Sequence, residues 1–254
     1  MFRRAAFCTF ITLLSISNIA QTRSNQPDAT SPQGPLEQPQ ARTWVSAPDT
    51  TGARISIVRL REPRRVRQLY NKALQFYVKE KFAEATLILD ESLKIYPDFP
   101  EALTLYGSIQ TVLGQWHSAE QKLLASIHTD PTYTPGYAVL AGLYNAQGRF
   151  DDALKTARKA VSAGADSWDV EYEIARSLIG NGQYQPALQV TEKALRLKQH
   201  GSLLHLAKAH ALVGLRKYRP ALQELRAYLQ YQPSGVGSQQ ARDLLGKVET
   251  AAGE

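Results

Sequence analysis

The chain of 254 residues contains one cysteine and one methionine. With Cys8 as the single thiol, no intramolecular disulfide, CxxC redox pair or cysteine-based zinc site can form. The run from Ala5 to Ala20 is interrupted by Thr9, Thr12, Ser15, Ser17 and Asn18, and it falls short of the ~20 apolar residues of a comfortable membrane span. There is no GxSxG nucleophile elbow, no GxxxxGK[S/T] phosphate loop and no GxGxxG after a strand. The histidines His117, His128, His200, His205 and His210 lack metal-ligand spacing, because two ligands on one helix face need a separation of three or four, and His205 and His210 are five apart. Asp151 and Asp152 fall at the start of a helix, where negative charge complements the helix dipole. Catalytic, cofactor-binding and metal sites are therefore not expected, and the chain reads as a non-enzyme.

What is present describes a folded protein. Hydrophobic residues make up 43% and aromatics 9%, which argues against wholesale disorder. Arg3 and Arg4 precede the short apolar run, a pattern expected of a signal peptide over residues 1–20. Cleavage is placed after Ala20, although Asn18 suits the site poorly; an uncleaved N-terminal membrane anchor is the alternative. Residues 21–53 scatter Pro27, Pro32, Pro35, Pro39 and Pro48 among Gln, Ser, Thr and Asp and read as a disordered linker. Residues 54–65 form an arginine-rich lead-in, whose stretch from Arg54 to Leu60 favours extended backbone through its β-branched content. Pro63 is well placed to open a helix.

From Val66 a period of 34 residues runs without insertion. Aromatics recur at Phe82, Trp116, Phe150, Tyr184 and Tyr218, each followed three residues later by Ala85, Ala119, Ala153, Ala187 or Ala221. At 9% aromatics, five hits in one column have a chance of ~0.09 to the fifth power, on the order of one in 10⁵. A second small column is Ala73, Gly107, Ala141, Ala175 and Ala209; a third is Ser92, Ser126, Ala160 and Ala194, failing at Tyr228. A helix-ending column gives Pro97, Pro131, Ala165, Gln199 and Pro233, with Gly164 and Gly201 near the two departures. Small residues on one face let helix backbones approach closely, so each repeat is predicted to be an antiparallel helical pair. Gly114, Gly148 and Gly182 are placed to end the first helix of a pair at positive φ, with Glu80 and Arg216 in that column elsewhere. Thr134 with Pro135, and Ser167, are predicted N-caps. Neither helix can bury its apolar face alone, so the pairs must stack.

The pattern resembles the tetratricopeptide repeat family, whose helix-turn-helix unit has this length and these columns. The resemblance covers residues 66–233 and implies an all-α, right-handed solenoid of five repeats, approximately 66–99, 100–133, 134–167, 168–201 and 202–235. Residues 236–254 supply a capping helix and tail, with Ser238 as its predicted cap and Leu244, Leu245 and Val248 as its apolar stripe. The resemblance also implies a concave groove, lined by first helices, that holds a protein or peptide partner. Mapped onto this sequence, the anchors expected there are Tyr70, Tyr77, Asn145, Tyr172, Arg176 and His210, with Ala138, Gly142 and Ala146 hollowing the third repeat. Leu74 and Ser108 stand where some relatives place residues that clamp a terminal carboxylate, which disfavours that mode.

The net charge of +7 has two sources. Removing Arg3 and Arg4 leaves +5, and residues 54–67 hold six arginines against Glu62, which is also +5. Arg54, Arg59, Arg61, Arg64, Arg65 and Arg67 thus form a basic patch, read as a solvated edge or as a contact for an acidic partner or anionic surface. It lacks the interleaved aromatics of single-strand binders, and nucleic acid is not an expected partner. The function expected is a bacterial, exported, periplasmic or secreted scaffold serving an envelope or secretion assembly. The alternative is an accessory subunit of a periplasmic peptidoglycan- or glycan-processing enzyme.

Overall fold

In the computed structural model the described residues are 63–197, 202–234 and 236–253. They form eleven α-helices in chain order: α1 (Arg64–Val78), α2 (Phe82–Ile95), α3 (Pro100–Val112), α4 (Trp116–Thr129), α5 (Thr134–Ala146), α6 (Phe150–Ser162), α7 (Trp168–Gly180), α8 (Tyr184–Leu197), α9 (Ser202–Gly214), α10 (Tyr218–Tyr231) and α11 (Val236–Ala252). The proposed signal segment, the linker, the stretch from Arg54 to Leu60 and the residues Gln199, His200 and Gly201 lie outside the described residues. Odd-numbered helices α1 to α9 each pair with the following helix, and each pair stacks on the next, which makes an α-solenoid closed by α11 against α10.

The turn inside each pair is one motif repeated five times. Gly114, Gly148 and Gly182 have φ near the left-handed minimum, at 73°, 74° and 70°. The residue after each returns a backbone bond to the carbonyl five residues back, as in Gln115 N–H to Gln110 O at 2.8 Å and Arg149 N–H to Tyr144 O at 2.9 Å. That bond satisfies a carbonyl orphaned at the helix end. Glu80 and Arg216 adopt the same conformation, with φ of 57° and 58°, so the departures from glycine change the residue and not the turn. Where the proline column lapses at Ala165, Gly164 at φ 95° ends α6 instead.

The small columns sit at the helix contacts. Ala73, Ala141, Ala175 and Ala209 are fully buried, as are Ala85, Ala119, Ala153, Ala187 and Ala221. At Gly107 a Cβ would lie 2.6 Å from Leu123 Cγ, so α3 and α4 approach closer there than alanine allows. Ser126 donates to Pro100 O at 2.9 Å and lies 2.8 Å from Thr104 Oγ1, which satisfies its hydroxyl inside the contact. Tyr228 breaks this column because α10 packs against α11, which is out of the repeat register, and not against a sixth first helix. Gln110, in a usually apolar column, is buried with its Nε2 donating to Ser118 Oγ at 2.7 Å.

Four helix starts differ from the sequence expectation. α1 opens at Arg64, directly after Pro63 (φ −65°, ψ 138°), so Arg64 and Arg65 are helical and not part of an extended lead-in. Proline's fixed φ and missing N–H make it a natural last residue before a helix. α5 starts at Thr134 with Tyr133 in the N-cap position, and Ser167 occupies the N-cap of α7, but neither start has a side-chain capping bond. At α7 the acidic Asp169 and Glu171 in the first turn complement the dipole. α11 begins at Val236, and Ser238 lies within its first turn, its hydroxyl reaching the carbonyls of Gln232 (2.7 Å) and Ser234 (2.9 Å).

Successive repeats interlock through the aromatic column. The ring of Phe150 on α6 lies where a Cβ of Gly180 on α7 would be, 2.3 Å away, and Tyr184 on α8 stands in the same relation to Gly214 on α9, at 2.4 Å. Each ring therefore occupies the notch at the end of the next first helix. Gly180→Ala is expected to cost about 1–3 kcal/mol through overpacking, and Phe150→Leu in the same chain should recover part of that loss. Urea midpoints of the two single variants and the double variant check it; additive effects would remove the ring-into-notch contact from the account.

Candidate functional site

The first helices α1, α3, α5, α7 and α9 lie side by side and form the inner layer of the stack. The residues expected to anchor a partner divide into two groups by burial. Tyr70, Tyr77, Asn145 and Tyr172 are buried. Arg176 is partly exposed at 18% of its side chain, and His210 is open to water.

The tyrosines are packing residues. Tyr70 meets Phe99 edge to face at 5.5 Å, and Arg67 lies over both rings, 5.7 Å from Tyr70 and 5.0 Å from Phe99. Tyr77 meets Phe82 across the α1–α2 turn at 6.0 Å. Tyr172, 2% exposed, joins the apolar core of the C-terminal repeats, with the guanidinium of Arg176 5.6 Å from its ring centre. Burial drives its phenol well above the ordinary value. The expectation that Tyr172 presents a large free surface to a partner is therefore corrected: Trp168, Tyr172 and Ala175 recur in the columns of Val66, Tyr70 and Ala73, and both sets are buried stripes at i, i+4 and i+7.

Asn145 is likewise spent within the fold. Its Nδ2 donates to Glu173 O at 3.0 Å and to Glu173 Oε2 at 2.8 Å, and its Oδ1 accepts from Ser177 Oγ at 3.0 Å. Arg176 donates to both Glu173 carboxylate oxygens, at 3.2 and 2.9 Å. Gly142 fits this joint, because a Cβ there would stand 3.3 Å from Glu173 Oε1. The space left by Gly142 thus holds the Glu173 carboxylate and is not an empty hollow for a partner. Burial raises the Glu173 carboxyl above the ordinary carboxylate value, and Arg176 and Asn145 only partly offset it.

The inner surface that remains open lies toward the C-terminal end, where Ile179 and Val213 are half-buried beside Arg176 and His210. His210 touches water yet sits within the crowded inner layer. Desolvation and then the charge of Arg176 hold its imidazole below the ordinary value of about 6.5. Apolar side chains, a cation already fixed by Glu173 and an imidazole can together accept an extended segment with apolar and acidic or carbonyl groups.

Of the basic patch, Arg64 is exposed, Arg65 pairs with Glu91 at 2.9 Å, and Arg67 pairs with Glu101 at 3.2 Å while covering Tyr70 and Phe99. Arg67 is thus part of the fold. Arg54, Arg59 and Arg61 lie outside the described residues. His205 Nδ1–H donates to Glu224 Oε2 at 2.7 Å, and Lys208 pairs with the same carboxylate at 2.7 Å. Among the described residues no group of three or more His, Cys, Asp or Glu is placed to hold a metal ion, and no helix is long and apolar enough to cross a membrane.

Residues 140–202, which cover most of the third pair and all of the fourth, match the family model for the tetratricopeptide repeat. Among solved structures, a thermophilic tetratricopeptide repeat protein of Thermus thermophilus aligns with a TM-score of 0.63 at 20% identity, over 72% of this chain and 98% of its own. PilF of Pseudomonas aeruginosa aligns at 0.60 and 17% identity, over 73% of this chain and 89% of its own. A tetratricopeptide repeat protein of Parabacteroides merdae aligns at 0.56 and 16% identity, over 75% of each chain. At these identities the likeness is one of fold. No curated protein sequence matches the chain significantly.

Two outcomes test the site. Asn145→Ala withdraws both donors from the buried Glu173 and should cost about 1–3 kcal/mol in urea melts; an unchanged midpoint would show that the joint carries no stability. For His210, the lowered pKa means that the folded state binds the proton less readily than the unfolded chain. Its penalty is absent above about pH 6.5 and grows as pH falls through that value toward the folded pKa. Between about pH 8 and about pH 5, wild type should lose more stability than His210→Gln. Equal losses would place the imidazole in bulk water.

Proposed function

We propose that this chain, a tetratricopeptide repeat protein by its repeats and its fold, is a non-enzymatic scaffold that binds a protein partner along the inner layer of its solenoid. The observation that carries the reading is the continuous row of first helices, fixed by the interlocked turns, whose C-terminal half leaves Arg176, Ile179, His210 and Val213 within reach of solvent. A rigid surface of this kind binds an extended or helical segment at little cost in its own order. The charged start and short apolar run of residues 1–20 support export, and an envelope or secretion assembly is the setting that an exported scaffold of this kind would serve.

The test uses a partner captured by crosslinking in intact cells and then purified. Val213→Glu places a charge on the half-buried apolar surface, and His210→Ala removes the open imidazole; each should weaken the partner by about tenfold or more, equivalent to about 1.4 kcal/mol. Lys155→Ala on the outer layer should not. Unchanged helical circular dichroism ensures that binding is being read and not folding. If the partner tolerates both inner changes and loses affinity at Lys155, binding belongs to the outer layer.

A further inference from the structure

The buried apolar side chains of the described residues gather in three clusters. The first joins α1, α2 and α3 and includes Tyr77, Leu89, Leu105 and Ile109. The second joins α4, α5 and α6 and includes Leu123, Leu140 and Leu143. The third runs from α5 to α11, so α5 and α6 belong to both of the last two and tie them together. No helix contributes buried side chains to the first cluster and to another as well. Among the described helices, α3 and α4 are thus the one pair of chain neighbours that share no buried apolar cluster, although they are the two halves of a single repeat.

The contact between α3 and α4 is close, but small and polar groups make it. Leu123 of α4 lies over Gly107, which has no side chain to bury. Beside it Thr104 Oγ1 meets Ser126 Oγ at 2.8 Å, and Gln110 Nε2 donates to Ser118 Oγ at 2.7 Å. Gln110 Oε1 is buried with no hydrogen-bond partner among the described residues, in a column that buries Tyr144, Leu178 and Leu212 in the next three repeats. A hydrogen bond that replaces one to water contributes less than a large apolar side chain removed from water. α3 is also a weak helix by composition, since Thr104, Gly107, Ser108 and Thr111 are poor helix formers. Ser108 and Thr111 donate to the carbonyls four residues back, at 2.9 and 2.8 Å, a bond that competes with the helical ladder. Toward the first repeat α3 is better held: Leu105 and Ile109 share its core, and Glu101 pairs with Arg67 of α1 at 3.2 Å.

We propose that the solenoid opens in two cooperative units whose boundary lies inside the second pair, at the turn Leu113-Gly114-Gln115: α1, α2 and α3 form one unit, and α4 to α11 form the other. In a stack that is nearly one-dimensional, each element is held by its own propensity and by its neighbours, so opening begins where both are smallest. The boundary therefore cuts a repeat in two, with α3 leaving alongside the first pair and α4 staying with the third. The open inner surface at Arg176, Ile179, His210 and Val213 lies wholly in the second unit, and the first can open without disturbing it. A partner that also covers α1 or α3 binds only the closed form and holds it shut, whereas one held by α7 and α9 alone leaves the opening free.

The test is backbone hydrogen exchange of the full chain, followed by peptide mass spectrometry at several urea concentrations below the unfolding midpoint. Amides of α1, α2 and α3 should exchange through one shared opening, with α3 about tenfold or more faster than α4, while α4 to α9 exchange only with global unfolding. Gln110→Leu combined with Ser118→Ala turns the seam apolar with little change in volume, and it should slow exchange in α3 to the rate of α4. The proposal is overturned if α3 and α4 exchange together at every urea concentration, if the boundary falls between α2 and α3 or between α4 and α5, or if one opening serves all helices. Exchange in α3 that is unmoved by the double change also overturns it. The wild-type boundary decides the matter by itself should the double variant fail to fold.

Discussion

The close approach of helices at their small residues is the constraint from which the rest of the molecule follows. Alanine or glycine at the paired columns sets the helix spacing, and one larger side chain there would push a pair apart. Because the spacing repeats every 34 residues, small displacements would accumulate along the stack. The ring of Phe150 against Gly180 and that of Tyr184 against Gly214 oppose this by seating each pair into the end of the next first helix. The inner layer is therefore rigid for reasons located behind it, which leaves its own side chains available for other chemistry.

That chemistry is concentrated at one junction. Asn145, Glu173, Arg176 and Ser177 form a closed polar joint between α5 and α7. A half-satisfied network of this kind would be worse than an apolar contact, so the completeness of its bonding matters more than any single distance. The joint fixes Arg176 in place and orients positive charge toward the groove without offering Asn145 to a partner. His210, one first helix further on, feels that charge, which links the protonation of the open end of the groove to its buried middle.

The fold was legible in the sequence because periodic steric demands leave periodic residues. Gly114, Gly148 and Gly182 announced the turns, and the alanine columns announced the contacts. Gly180 and Gly214, each 30 residues beyond an aromatic of the column, carry the one sequence mark of the interlock. The site was less legible, since burial on the inner layer depends on curvature and neighbours that a single column does not record. Tyr70 and Tyr172 were assigned to a partner for their size and chemistry, yet each stands in a stripe with Ala73 or Ala175 that already marked it as core. Asn145 was assigned as a donor to a peptide; Glu173 and Ser177, 28 and 32 residues away, consume it, and no local pattern signals such a pairing.

The central claim is that the inner layer, and not the outer, receives the partner. Hydrogen exchange of backbone amides with and without the purified partner tests it directly. Binding should slow exchange at the C-terminal first helices, α7 and α9, while α6, α8 and α10 keep their rates. Protection confined to α6, α8 and α10, with α7 and α9 unchanged, would contradict the account.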